Sequence, residues 1–125
     1  ARYTGIQVSD PWTMSPTPIY QSTCRNLAQS HPNPDGSFTY VIAMVDPGVA
    51  NWIDTAGLRE GWFMLRWQNL PAGVEPSSLV RDTRLVRLDE LDGALPEGCP
   101  IADLAQRRRE TLLRIAQYKL RCGED

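Results

Sequence analysis

Proline and glycine cut the first hundred residues into short lengths, and this punctuation restricts the fold more than any other feature. Of ten prolines and nine glycines, only Gly123 lies beyond Pro100. A proline inside a helix removes a hydrogen bond and clashes with the preceding turn, so these breaks disfavour long helices over most of the first hundred residues. Short strands joined by turns do fit there. The stretch between Pro100 and Gly123 contains neither residue and reads as the one long helix.

The strands follow from alternation. Thr4, Ile6 and Val8 fall on one face, with Tyr3, Gly5 and Gln7 on the other, and Pro11 ends the pattern. Five of the ten prolines lie between Pro11 and Pro34, so that region is mostly coil with a short strand or turn near residues 19–24. "NPDGS" at 33–37 is a tight turn. "FTYVIAMV" at 38–45 is β-branched, aromatic and almost wholly apolar, which predicts a strand buried on both faces. "GWFMLRWQ" at 61–68 predicts a second strong strand, and "RDTRLVRL" at 81–88 one with a charged face.

In the helix, Ile101, Leu104, Ala105, Leu112, Ile115 and Ala116 share a stripe at about 100° per residue. Asp103 with Arg107, and Glu110 with Arg114, are acid-before-base pairs on the opposite face. Arg108 falls inside the apolar stripe, so its stem lies over apolar surface or it pairs across an interface. These elements predict a mainly β chain with a C-terminal α-helix, an antiparallel β-sandwich-like arrangement of the α+β class. Residues 1–98 would form the β-rich domain and residues 99–125 the amphipathic helix packed on it. Three or four strands leave open edges that need cover, so the expected partner is an upstream domain or a second subunit. The start at Ala1, already in strand-like sequence, also leads us to expect a piece of a longer protein.

Composition narrows the chemistry. A net charge of −2 and a pI of about 5.4 argue against nucleic-acid binding through phosphate contacts. The longest apolar run, at 41–45, is far too short to span a bilayer, so no membrane contact is expected. Cys24, Cys99 and Cys122 are far apart and odd in number, which favours free thiols in a reducing, cytoplasmic setting. One histidine and no close cysteine pair exclude the usual zinc sites, and no cofactor motif is present.

The densest polar passage is "DPGVANWIDTAG" at 46–57. Asp-Pro-Gly specifies a type II turn, and Asp46, Asn51 and Asp54 can each cap backbone N–H groups. In that reading Trp52 and Ile53 fold back over the end of a sheet. The functional reading gathers Asp46, Asn51, Asp54 and Thr55 around a small cavity with Trp52 as its wall. Arg66, on a strand between Met64 and Gln68, should be partly buried and needs an acid, with Asp46 or Asp54 the natural choice. Alternatively it holds an anionic ligand, while four tryptophans could line a site for a small apolar one. His31 with Cys24, or Asp46 with Asp54, are the weaker catalytic pairings.

The run "NPDGSFTYVIAMVDPGVANWIDTAGLREGWFMLRWQ", with "YTGIQVS" upstream, resembles the β-rich domain-of-unknown-function family twelve-fourteen. The likeness covers residues 2–90, and the Asn51-Trp52 pair is its most specific part, with Ile53 in place of a leucine. It implies an antiparallel β-sandwich forming the C-terminal portion of a longer bacterial protein, and it carries over no catalytic residues. The expected function is a non-catalytic structural or ligand-shaping part of a larger bacterial protein or assembly. The alternative is a small-molecule enzyme, or enzyme subunit, whose site uses the loop at 46–55.

Overall fold

A computed structural model describes residues 1–123. Five strands come first in chain order: β1 (Tyr3–Ser9), β2 (Cys24–Asn26), β3 (Val41–Ala43), β4 (Trp52–Asp54) and β5 (Trp62–Gln68). A one-turn helix, α1 (Leu91–Ala94), and the long helix α2 (Leu104–Cys122) follow. The alternation read in residues 3–9 places Ile6 and Val8 inward from β1, the middle strand of an antiparallel sheet ordered β2-β1-β5. The second sheet is the pair β3-β4. Ile53 of β4 closes over Ile6 and Val8, and Tyr40 and Leu65 flank this core. Asp54 N–H donates to the Ser22 carbonyl at 2.9 Å, tying β4 to the segment that leads into β2. The chain is therefore mainly β with a C-terminal helix, of the α+β class.

The β3-β4 pair is parallel, with Val41 opposite Trp52 and Ala43 opposite Asp54. Parallel neighbours ordinarily need a crossover of a dozen or more residues; here residues 44–51 suffice. A tight turn makes this feasible: Gly48 takes φ +75° at the third position of the Asp-Pro-Gly turn. The chain then leans on the approach to the long helix. Ala50 N–H donates to Pro100 O at 2.8 Å, and Ala102 N–H to Gly48 O at 2.9 Å. Val49 and Ile101 form an isolated bridge.

Three sequence expectations need correction. Residues 38–45 are not a doubly buried strand: only Val41–Ala43 is extended, and Ile42, Met44 and Val45 are exposed. Two short strands cannot sandwich such a segment between layers. Residues 81–88 form no strand and stay exposed almost throughout, Leu85 fully so, because β propensity counts only where cross-strand partners and burial back it. Nor is 46–57 a plain loop, since β4 lies inside it.

The long helix also differs from the expected packing. Asp103 caps it by accepting from Gln106 N–H at 2.7 Å, and Gly123 closes it in the left-handed conformation. It starts later than Pro100 because Ile101 and Ala102 are held by the 46–51 loop. Its half-buried residues are polar or charged: Gln106, Arg107, Glu110, Thr111 and Arg114, with Ile115. Leu104, Leu112, Leu113 and Leu120 are exposed, so the apolar stripe does not pack on the sheet. The body offers carbonyls, Asp46 and a buried arginine, which long polar side chains can satisfy and leucines cannot. Arg108 is exposed on the outward side.

Candidate functional site

Asn51 is the most constrained polar residue, 1% exposed. Its Oδ1 accepts from His31 N–H at 2.8 Å. Its Nδ2 donates to His31 O at 2.7 Å and Thr39 O at 3.2 Å. The amide thus supplies His31 with both bonds that a neighbouring strand would give. It fastens the Pro-rich coil around His31 to the start of β3.

Beside it, Asp46 accepts from Gly48 N–H at 2.9 Å. It also receives a two-pronged bond from Arg107, at 2.9 Å from both Nε and Nη2. Arg107 reaches the Val49 and Ala50 carbonyls as well, and its guanidinium lies 5.3 Å from the centre of the Trp52 ring. Trp52 itself donates Nε1–H to Ala43 O at 2.9 Å. Asp54 caps Ala56 N–H at 2.8 Å, whereas the Thr55 hydroxyl is buried without a hydrogen-bond partner among the described residues. The loop's polar groups are therefore largely committed to its own chain. The capping roles expected for Asp46 and Asp54 are present, and Asn51 does more than cap.

A second cluster escaped the sequence. Arg25, 4% exposed, donates to Trp52 O, to Gln29 O and, at 2.7 Å, to Glu110 of α2. Glu110 lies 3.6 Å from His31 Nε2 through its other oxygen. Arg114 is half-buried nearby, with one terminal nitrogen unpaired among the described residues. The predicted helix-internal pairs are thus replaced: Arg107 reaches Asp46, and Glu110 reaches Arg25. The one available signal was Arg25 itself, a cation beside Cys24 in a stretch read as a strand or turn. Burial pushes the Cys24 thiol up, against the opposing fields of Arg114 and Arg25. At neutral pH it is a protonated thiol, a poor nucleophile.

The expected ion pair of Arg66 with Asp46 or Asp54 does not form. Arg66 is exposed on β5 and contacts the Met64 sulfur at 3.5 Å, while Arg107 occupies Asp46. Across β1, Arg66 stands opposite Gly5, and Gly5 stands opposite Asn26 of β2. Directly opposed residues share a sheet face, so Arg66 belongs to a shallow groove of about 100 Å³ on the outer face, not to the 46–57 loop. Among the described residues, no group of three or more His, Cys, Asp or Glu is placed to hold a metal. No helix there is long and apolar enough to cross a membrane.

Acid should weaken the helix attachment. The Arg107 bond, with help from Gly48 N–H, holds Asp46 below the usual carboxylate range against the opposing effect of burial. Burial alone would raise Glu110, but Arg25, Gln106 and Arg107 outweigh it and hold it low. A folded-state value below the unfolded one means stability present above the unfolded value, near pH ~4, and lost as pH falls through the folded one. Urea midpoints should therefore decline below about pH 4, and the decline should shrink in an Asp46→Asn, Glu110→Gln double variant. An unchanged slope in that variant would assign the acid sensitivity to other carboxylates.

The architecture defines the class: a small α+β chain of two sheets, a one-turn helix and one long C-terminal helix. The chain matches no protein-family model, and no curated protein is similar to it. It is similar to the crystal structure of an uncharacterised protein from Burkholderia cenocepacia, at 35% identity and a TM-score of 0.51. That likeness covers 55% of this chain and only 20% of the other, so the matched part is a fifth of the longer protein.

Proposed function

We propose that this chain is a β-rich, non-catalytic module that gives structure to, or shapes a ligand site in, a larger bacterial protein or assembly. The observation that carries the reading is the open edge of β5. This seven-residue strand pairs with β1 on one side only, and Trp62, Phe63 and Met64 are exposed along it. Long apolar edges of this kind are ordinarily covered in a native assembly, because unpaired backbone groups recruit other strands. The greater length of the similar Burkholderia protein agrees with cover by further structure. The three free cysteines fit a reducing compartment such as the cytoplasm. The test is amide hydrogen exchange in β5, measured by mass spectrometry on this chain alone and on the native protein or complex recovered from its host. Much slower exchange in the native particle is expected; equal exchange in both would refute the module reading.

A further inference from the structure

We propose that the outer face of the β2-β1-β5 sheet binds a small carboxylate, gripped by Arg66 together with the side-chain amides of Asn26 and Gln29. The proposal rests on the ligand-shaping reading above and names its ligand. Asn26, Gly5 and Arg66 lie in one row across the three strands. The middle member has no side chain, so the flanking two face each other across roughly 10 Å, twice the strand spacing. The phenol of Tyr3 leans over the gap: its oxygen lies 2.6 Å from where a Gly5 Cβ would sit. The resulting groove of about 100 Å³ is lined by Tyr3, Gly5, Gln7, Asn26, Gln29 and Arg66, among others. Liquid water occupies about 30 Å³ per molecule, so a carboxylate with a short carbon chain fits.

Its polarity is set by a local capping arrangement. Asn26 Oδ1 accepts from Gln29 N–H at 3.1 Å, and Gln29 Oε1 accepts from Asn26 N–H at 3.0 Å. A backbone N–H can only meet an amide oxygen, so both orientations are fixed. The two NH2 groups are left as donors, with no acceptor among the described residues. No lining residue is an acid, and Arg66 forms no ion pair among the described residues. A groove with a guanidinium bonded only weakly to a thioether sulfur, two free amides and no carboxylate selects a carboxylate ligand, which the planar guanidinium can hold with two parallel bonds.

The experiment is a titration of the chain with sodium acetate, followed by proton–nitrogen correlation spectra, against sodium chloride at equal ionic strength. The side-chain signals of Asn26, Gln29 and Arg66 should move and saturate with acetate only. Asn26→Asp and Gln29→Glu keep the capping oxygens while deleting the donors. Each should stay folded and bind acetate at least about tenfold more weakly. Arg66→Gln, at an exposed position, should fold normally and abolish the saturation. Equal movement in chloride, unaltered acetate binding in Arg66→Gln, or tighter binding of inorganic phosphate at the same residues would each overturn the proposal. Those outcomes leave β5 exchange untouched, so the module reading stands or falls separately.

Discussion

Replacing Asn51 with alanine is expected to destabilise the chain by roughly 3–4 kcal/mol, because three partly buried backbone groups lose their partner at once. His31 N–H, His31 O and Thr39 O all depend on this one amide, and its site is closed to replacement water at 1% exposure. A domain of this size is stable by only about 5–15 kcal/mol, so the loss is a large fraction. Urea unfolding should show a lower midpoint with little change in slope. A second effect separates clamping from mere packing: His31, whose N–H loses its acceptor, should exchange its amide proton faster than the β1 core does. Asn51→Asp keeps the acceptor but removes both donors and buries a charge, so it should not rescue. A melt close to the parent chain would mean that Asn51 is not the clamp its geometry implies.

The next largest effect belongs to Glu110→Gln, expected to lose about 3–5 kcal/mol, the range for removing one partner of a buried ion pair. Glu110 is the carboxylate that meets Arg25, at 2.7 Å with Arg25 4% and Glu110 23% exposed. Without it Arg25 and Arg114, which already repel each other, face one another uncompensated. Gln fills the same volume, so the loss reports charge rather than a cavity. The helix should detach before the sheet melts, seen as faster exchange across Leu104–Cys122 at urea concentrations where β1 stays protected. A change within about 0.5 kcal/mol, the usual scale for surface substitutions, would show that solvent already screens the pair.

The same contrast explains which parts of the structure were legible in the residues. β1 and β5 were, because each is long enough to display its period. So was the long helix, although it begins at Leu104 rather than at Pro100. The turn chemistry of Asp46 and Asp54 was also readable, since an Asx cap is a contact two residues away. Residues 38–45 misled because an apolar β-branched run specifies strand preference but not how many layers will cover it. Residues 81–88 misled for the related reason that strand preference needs burial against a neighbour, and this segment is exposed almost throughout.

Among the candidate site residues, the sequence grouped Arg66 with Asp46 and Asp54 by supposing that two loops meet one sheet end. The register instead placed Arg66 beside Gly5 and Asn26, a juxtaposition of residues 5, 26 and 66 that no local pattern encodes. Helical spacing favoured Asp103–Arg107 and Glu110–Arg114 because acids and bases four apart are neighbours on any helix. The folded chain offered each a better-desolvated partner 61 and 85 residues away, Asp46 for Arg107 and Arg25 for Glu110. Sequence by itself determined the breaks, the strand periods and the long helix, because these are energies of contacts between near neighbours. Tertiary structure alone decided which helix face turned inward, since burial follows from the carbonyls and charges that other segments present, and those are set only once the sheets have formed.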